Sequence, residues 1–369
     1  MAQGSRPPQA ADERAIPATA ELVLHIGGPK TGSSAVQRMF CEQAAALRRQ
    51  GVHYPPHPLD TNGVSGGHGE LITKLTTAGG AAGRDELGSW LTDARRAGCR
   101  LLLSAENAWE HAAAIADAVR TRRFHVVCFV RHPLDALASH HNQGVKRHAG
   151  RATIVQATRA VLENRVPTES LSGDVLFQWL SVCGRERMTL LPYIESGRPV
   201  DAPARLARLL GVECGQPVRP GVNRSYTPAA IEFKRLVNHL PPGAILPLDA
   251  PLDLRLQQYS DNSPVAGPGL RELVGDEMYG ALERHFQPVV ERLTAVFGIR
   301  LECRDAEPAT AVDSPELVWR FVSEDHRLAS GLRAATATAL AAESPSSSLR
   351  ALARIVAVAS GPDSAGRPS

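Results

Sequence analysis

The sequence predicts an α/β protein whose central, mostly parallel β-sheet is flanked by helices. Short apolar runs of β-compatible residues alternate with longer segments of helical spacing, which is the pattern of a parallel sheet covered on both faces. A glycine-rich stretch directly follows the first apolar run and opens into a helical segment. The chain has 369 residues, of which 43% are hydrophobic and 21% charged, so it can form a substantial core.

Each predicted strand is followed by a predicted helix. The third strand, His125–Val130, is apolar enough to be buried on both faces, and Pro133 opens the next helix at its first turn. The predicted strands are Glu21–Ile26, Cys99–Leu103, His125–Val130 and Met188–Tyr193. The predicted helices are Ser34–Arg49, Arg84–Gly98, Ala112–Arg122, a helix from Pro133, Ala202–Leu210, and long patterns at 228–239 and 270–297.

Composition changes at both ends of the chain. Residues 1–20 are rich in Pro, Ala and Gln and are predicted to be disordered. Residues 21–303 are predicted to form one α/β domain. Residues 304–369 are predicted to be a helical, Ala-rich C-terminal extension with a disordered end.

Composition and charge argue against several classes of function. A net charge of +3, scattered basic residues and 5% aromatic residues give no basis for nucleic-acid binding. The six cysteines form no CxxC pair, and the histidines between 132 and 148 do not place three on one face, so no metal site is predicted. No apolar run of about 18 residues occurs, so no membrane span is predicted. Unpaired cysteines and the lack of a signal-peptide pattern predict a cytoplasmic protein.

The stretch 27–34 has the composition of an anion-binding loop. Glycines let the backbone turn tightly with its N–H groups pointing inward, and the helix that follows adds the positive end of its dipole. Lys30 contributes a full positive charge, and the hydroxyl side chains are donors. The candidate phosphate-binding residues are Gly28, Lys30, Thr31, Gly32, Ser33 and Ser34.

The spacing of this loop differs from that of a nucleotide triphosphatase. There the lysine directly follows the last glycine. Here Ser33 follows Gly32, and Lys30 precedes it. A P-loop kinase or other nucleotide phosphotransferase is the alternative function. This sequence lacks the lysine that would reach the γ-phosphate in such an enzyme.

The stretch HIGGPKTGSS resembles the 5′-phosphosulfate loop of sulfotransferases that use 3′-phosphoadenosine 5′-phosphosulfate (PAPS). The following helix and its GVHYP end are similar to a large bacterial branch of that family. The resemblance implies a P-loop NTPase-like sulfotransferase fold, PAPS as donor, adenosine 3′,5′-bisphosphate as product and no metal. It also implies that Lys30 contacts the 5′-phosphate and the bridging oxygen, and that residues 31–34 bind the other phosphate oxygens.

PAPS differs from ATP in its 3′-phosphate, which requires a second anion-binding element. Arg131 stands at the end of the third strand, where its guanidinium can hold two oxygens, and Ser139 lies two helical turns further on. The resembling family uses the Arg and Ser of R-x-P-x-x-x-x-x-S on the 3′-phosphate. The alternative for Arg131 is an ordinary ion pair with Asp135. Arg224, in a stretch that resembles a loop over the nucleotide, is a further candidate.

Sulfuryl transfer to a hydroxyl requires a group that accepts the proton of the acceptor. Three residues remain candidates: His68 and Glu70 in one glycine-rich loop, and Glu106 in an S-x-E stretch after the second strand that is similar to the bacterial branch. The acceptor is expected to be the hydroxyl or amine of a small molecule, a carbohydrate or a lipid. A nucleotide-binding protein without turnover is a further alternative.

Overall fold

A computed structural model of the protein describes residues 16–28, 30–58, 66–77, 79–215, 226–263, 269–304, 313–342 and 344–358. The strands in these ranges are β1 (Leu22–Ile26), β2 (Val52–His53), β3 (Arg100–Ala105), β4 (Phe124–Val130), β5 (Met188–Pro192), β6 (Ile194–Glu195) and β7 (Arg198–Pro199). The helices are α1 (Ser33–Glu42), α2 (Ala44–Arg49), α3 (Gly69–Thr76), α4 (Ala81–Arg96), α5 (Ala112–Val119), α6 (Pro133–Arg147), α7 (Ile154–Leu162), α8 (Glu169–Ser172), α9 (Val175–Cys183), α10 (Ala202–Leu210), α11 (Pro228–Val237), α12 (Pro242–Asn262), α13 (Leu270–Val274), α14 (Asp276–Phe297), α15 (Pro315–Ser323), α16 (His326–Leu340) and α17 (Ser347–Ala357).

The chain divides into two compact units. The first comprises Met1–Leu137, Val166–Val222 and Ala281–Asp305, and the second comprises Ala138–Arg165, Asn223–Gly280 and Ala306–Ser369. The domain boundaries predicted at 21 and 304 stay predictions.

The first unit contains a parallel sheet whose described strands follow the order β2-β3-β1-β4-β5. β1 lies at its centre, since Leu22 pairs with Leu101 of β3 on one side and with Phe124 of β4 on the other. Because these pairs are parallel, the carboxyl ends of β1, β3, β4 and β5 lie at one edge of the sheet. The predicted fold class, an α/β fold with a central, mostly parallel sheet flanked by helices, is confirmed.

Apolar side chains cover both faces of this sheet. Leu24 of β1 joins a buried cluster that includes Trp179 of α9, while its neighbour Val23 joins the opposite cluster, which includes Phe40 of α1. Alternate residues of a strand point to opposite faces, so a fully apolar strand is expected where helices cover both. The packing fixes β1, and with it the loop that follows.

Several predicted elements end at different residues in the structure. β3 continues to Ala105, two residues beyond the predicted Leu103, so Glu106 follows the strand directly. The helix predicted over 34–49 is divided at Gln43. The helix predicted over 270–297 is divided at Gly275, whose φ of 83° is left-handed and interrupts the helical backbone.

The described part of the second unit is helical. Trp319 of α15 and Phe233 of α11 stack with their ring centroids 6.2 Å apart, inside a buried cluster that also includes side chains of α12, α16 and α17. Leu252 of α12 and Leu332 of α16 are fully buried in the same cluster. Helices α15, α16 and α17 lie in the stretch that the sequence predicts to be helical and Ala-rich.

Candidate functional site

The loop between β1 and α1 has the backbone of a tight anion-binding turn. Lys30 has a φ of 60° and Gly32 a φ of 82°, both in the left-handed region. The Thr31 hydroxyl donates to the carbonyl oxygen of Gly28 at 2.7 Å, which closes the turn. A Cβ on Gly27 would lie 2.0 Å from Ser33 Oγ, and a Cβ on Gly28 would lie 2.7 Å from the Phe129 carbonyl oxygen, so side chains are excluded at both positions.

The polar groups of this loop fit a bound phosphate. The Ser33 hydroxyl is buried and has no hydrogen-bond partner among the described residues. It stands at the first residue of α1, where backbone N–H groups also lack helical partners. Ser34, the next residue, is half-buried. A phosphate at this helix start would satisfy donors that the protein itself does not.

Lys30 and Glu106 lie close enough for their charges to interact. Glu106 directly follows β3, and a Cβ on Gly27 would lie 3.5 Å from its Cα. Burial raises the pKa of Glu106, and the positive charge of Lys30 opposes this increase. The structure therefore brings a half-buried carboxyl group and a lysine to the same loop.

Arg131 contacts the same loop from β4. Its Nη1 donates to the carbonyl oxygen of Lys30 at 3.2 Å. Its Nε lies 3.8 Å from Asp135 Oδ2, so the ion pair that the sequence left as an alternative is also present. Burial lowers the pKa of Arg131, and the Asp135 carboxylate opposes this decrease. The phosphate loop and Arg131, one residue of the second predicted anion-binding element, thus meet within one compact unit.

Tyr193 is a residue of this region that the sequence did not single out. Its ring lies 5.6 Å from the guanidinium carbon of Arg131. A Cβ on Gly32 would be 3.3 Å from the same ring, so Tyr193 packs directly against the loop. Tyr193 directly follows β5. In parallel sheets, ligands bind beyond the carboxyl ends of the strands, so this position could have been found from the sequence.

Both ring nitrogens of His68 form hydrogen bonds with backbone groups. Pro55 offers a carbonyl oxygen at 3.0 Å, so Nε2 carries the proton and donates it, while Nδ1 accepts from the Ser104 N–H at 3.0 Å. The side chain is buried, and burial lowers its pKa to about 4. His68 is therefore neutral and has no ring nitrogen available for an acceptor proton, which argues against the predicted role as base.

The other two candidates for the base differ in their surroundings. The Glu70 side chain is 69% exposed and pairs with Lys74 at 3.0 Å, one turn further along α3. Of the three candidates, Glu106 is the one beside Lys30.

Two further residues are predicted to bind the nucleotide, Ser139 and Arg224. Ser139 is a buried residue of α6 and belongs to the second unit. Arg224 lies outside the described residues, as does Pro29 of the loop. Roles for Ser139 and Arg224 stay predictions.

The described ranges contain neither a cluster of metal ligands nor a helix that could span a membrane. No three His, Cys, Asp or Glu side chains there lie together as a bound metal ion would require. None of the helices in those ranges has the length and apolar character needed to cross a bilayer.

Comparison with known proteins gives distant structural likenesses. No protein-family model and no curated protein matches the chain. A sulfotransferase from Alicyclobacillus acidocaldarius is 14% identical with a TM-score of 0.40, and the match covers 78% of this chain and 97% of that one. The sulfotransferase domain of the Synechococcus PCC 7002 olefin synthase is 13% identical with a TM-score of 0.30, over 59% of this chain and 82% of that one. Similarity of this extent does not establish a shared family or activity.

Proposed function

We propose that the protein is a sulfotransferase that moves a sulfuryl group from PAPS to a hydroxyl or amine of a small-molecule, carbohydrate or lipid acceptor. The observation that carries the proposal is the hydrogen bond of 3.2 Å from Arg131 Nη1 to the Lys30 carbonyl oxygen. It joins a loop suited to one phosphate to a guanidinium suited to another. A donor nucleotide with phosphates at both its 5′ and 3′ positions requires such a pair of neighbouring anion sites.

The residues of the loop would hold the 5′ end of the donor. Backbone N–H groups at the start of α1 and the Ser33 hydroxyl would donate to phosphate oxygens, and Lys30 would add a full positive charge. Arg131 would bind the 3′-phosphate, with Tyr193 packed beside it. The side chains present are therefore chemically suited to PAPS.

The bound donor would supply an activated sulfuryl group on a phosphate leaving group. Glu106 would accept the proton of the acceptor's hydroxyl or amine, because a carboxyl with a raised pKa is a better general base than an exposed one. Lys30 would stabilise the negative charge that develops on the departing phosphate.

Ligand preference distinguishes this function from its alternatives. We expect adenosine 3′,5′-bisphosphate to raise the thermal unfolding midpoint more than ADP with magnesium does, because a ligand that binds only the folded state stabilises it, by about 2.7 kcal/mol at a hundred times its Kd. A preference for ADP with magnesium would instead favour a phosphotransferase.

Turnover is tested with radiolabelled PAPS and a panel of hydroxyl and amine acceptors. Lys30→Ala should abolish transfer of the label, while Lys74→Ala on the exposed side of α3 should retain it. A nucleotide-induced midpoint shift without transfer to any acceptor class would favour a binding protein without turnover.

A further inference from the structure

A small cavity lies beside the phosphate loop between β1 and α1, within the first unit. It has room for about one water-sized group. Gly28 and Thr31 of the loop line it, together with the side chains of Trp109 and Arg131, and the rest of the wall is formed by apolar residues and one further glycine. The cavity therefore adjoins both the phosphate loop and the guanidinium that contacts it.

Trp109 is held firmly in the wall of this cavity. Its backbone N–H donates to the carbonyl oxygen of Glu106 at 3.2 Å, and its carbonyl oxygen accepts from the indole of Trp179 at 3.0 Å. Its ring packs against the loop, because a Cβ on Gly28 would lie 3.3 Å from Cζ3 of that ring. Trp109 is thus fixed beside the phosphate loop and joined directly to the candidate base.

The indole N–H of Trp109 is a buried donor without a partner. The residue is 3% exposed, and its Nε1 has no hydrogen-bond partner among the described residues. Arg131 Nε, in the same wall, is also buried without a hydrogen bond, since the Asp135 Oδ2 that pairs with it lies 3.8 Å away. A buried donor left unpaired costs free energy. Both groups can only donate, so they suit an oxygen that accepts hydrogen bonds.

Oxygens of this kind are present on the group that the proposed reaction moves. In sulfuryl transfer, the bond between sulfur and the 5′-phosphate oxygen breaks, a bond between sulfur and the acceptor oxygen or nitrogen forms, and the proton of the acceptor passes to the base. The three outer oxygens stay on sulfur and bear no proton. A hydrogen bond to one of them would orient the sulfur between the departing phosphate and the acceptor.

We propose that Trp109 is a catalytic residue whose indole N–H donates to an oxygen of the transferring sulfuryl group. The inference rests on the proposed function and adds a contact to it. Lys30 and the loop bind the phosphate of the donor, which stays on the nucleotide. Trp109 binds the group that leaves with the acceptor.

The first test separates the sulfuryl group from the rest of the donor. Trp109→Phe keeps an aromatic ring and removes the N–H, so we expect kcat/KM for PAPS to fall by about 10- to 100-fold, the effect of losing a hydrogen bond to a charged group. Affinity for adenosine 3′,5′-bisphosphate, which has no sulfuryl group, should stay that of the wild type. Steady-state kinetics and calorimetry on the full chain measure both, and thermal midpoints without ligand show whether each variant folds.

The matched control is Trp90→Phe in α4. Its ring is half-buried, with its centroid 5.5 Å from that of His68, and it does not line the cavity. This variant loses an indole N–H from the same unit and should keep the kcat/KM of the wild type.

The second test uses the wild-type chain and does not depend on the folding of Trp109→Phe. The chain has four tryptophans, so a nitrogen–proton correlation spectrum contains four indole signals, which are assigned by replacing the tryptophans one at a time. We expect the Trp109 signal to move when PAPS is added without an acceptor, and to move much less with adenosine 3′,5′-bisphosphate.

Three outcomes would overturn the inference. Wild-type kcat/KM in a folded Trp109→Phe would remove the indole from the reaction. Equal losses of affinity for both nucleotides, with equal movement of the Trp109 signal, would place a phosphate rather than the sulfuryl group beside it. A signal that moves with neither nucleotide would indicate an ordered water only. If the wild-type chain bound neither nucleotide, the proposed function itself would fail, and the inference with it.

Discussion

The half-buried carboxyl of Glu106 beside Lys30 is the residue pair with the most chemical consequence. Burial raises the pKa of Glu106, and the positive charge of Lys30 reduces this increase. The carboxyl is therefore more basic than an exposed one and can still ionise. A catalytic base works best when its pKa lies near the operating pH. Glu106 is therefore the base that the geometry favours for the proposed transfer.

Replacing Glu106 with Gln should lower kcat by about 10²- to 10⁴-fold, the range for removal of a general base, while affinity for adenosine 3′,5′-bisphosphate remains that of the wild type. The wild-type rate should rise with pH as this carboxyl ionises, and the Gln variant should lose that dependence. Steady-state kinetics across pH and calorimetry measure both. Glu70→Gln is the matched control, because its carboxylate is 69% exposed. Wild-type kcat in Glu106→Gln would exclude the role.

Replacing His68 with Ala should affect folding rather than turnover. The change removes the partners of the Ser104 N–H and the Pro55 carbonyl and leaves a cavity, so the free energy of unfolding should fall by about 2–4 kcal/mol. Urea unfolding measures this, and kcat is measured on the folded fraction at low temperature. A hundredfold loss of kcat with an unchanged unfolding midpoint would restore His68 as the base.

At the scale of elements, the loop between β1 and α1 depends on close approach of its backbone to neighbouring groups. A side chain at Gly27 would fall on Ser33 Oγ, and one at Gly28 on the Phe129 carbonyl oxygen. The loop directly follows β1, whose residues are all buried. The conformation of the loop therefore depends on the small size of Gly27 and Gly28.

Gly27→Ala should abolish the midpoint shift produced by adenosine 3′,5′-bisphosphate, because its Cβ would lie 2.0 Å from Ser33 Oγ and displace the start of α1. The control is Gly88→Ala in α4, where a Cβ meets nothing within 4 Å. That variant should bind normally and gain up to about 1 kcal/mol of helix stability. Binding by Gly27→Ala with wild-type affinity would show that the loop tolerates displacement.

The sequence predicts those elements whose pattern is local. Val126 and its neighbours form a continuous apolar run, so β4 is found within a residue of its observed start. α12 is missed because Pro247 and Pro251 are typical of loops, yet Leu252 and Leu256 are buried by the other helices of its unit and hold the helix together. Glu106 and His68 both fit a base by residue type. The hydrogen bonds that argue against His68 as the base come from tertiary packing, which a local sequence pattern does not predict.

At the scale of the whole molecule, the order of the strands decides which residues meet. β1, β3, β4 and β5 end at one edge of the sheet, and the residues just beyond them are the phosphate loop, Glu106, Arg131 and Tyr193. These residues are far apart in the sequence, and parallel pairing alone brings them together. The contact of Arg131 with Lys30 follows directly from β4 lying next to β1.

The same sheet encloses histidines that remain uncharged. His25 of β1 is fully buried against Ser104 Oγ at 2.8 Å, and His125 of β4 contacts Thr189 Oγ1 at 2.8 Å. Burial lowers the pKa of each to about 4, as it does for His68. Protonation of any of them requires the first unit to open or to hold a charge away from water.

Acid should therefore destabilise the protein below neutral pH. In the unfolded chain these histidines gain protons near their ordinary pKa of 6.5, whereas in the folded protein they gain them near pH 4. The unfolded state binds more protons between these values, so stability is complete above about pH 6.5 and falls as the pH is lowered towards 4, by at most about 1.4 kcal/mol per pH unit for each histidine. Thermal midpoints measured from pH 8 to 4.5 test this, and His125→Gln should reduce the slope by the share of one histidine. A midpoint that stays constant from pH 7 to 5 would mean that these rings are protonated in the folded protein and that the packing around the sheet accommodates their charge.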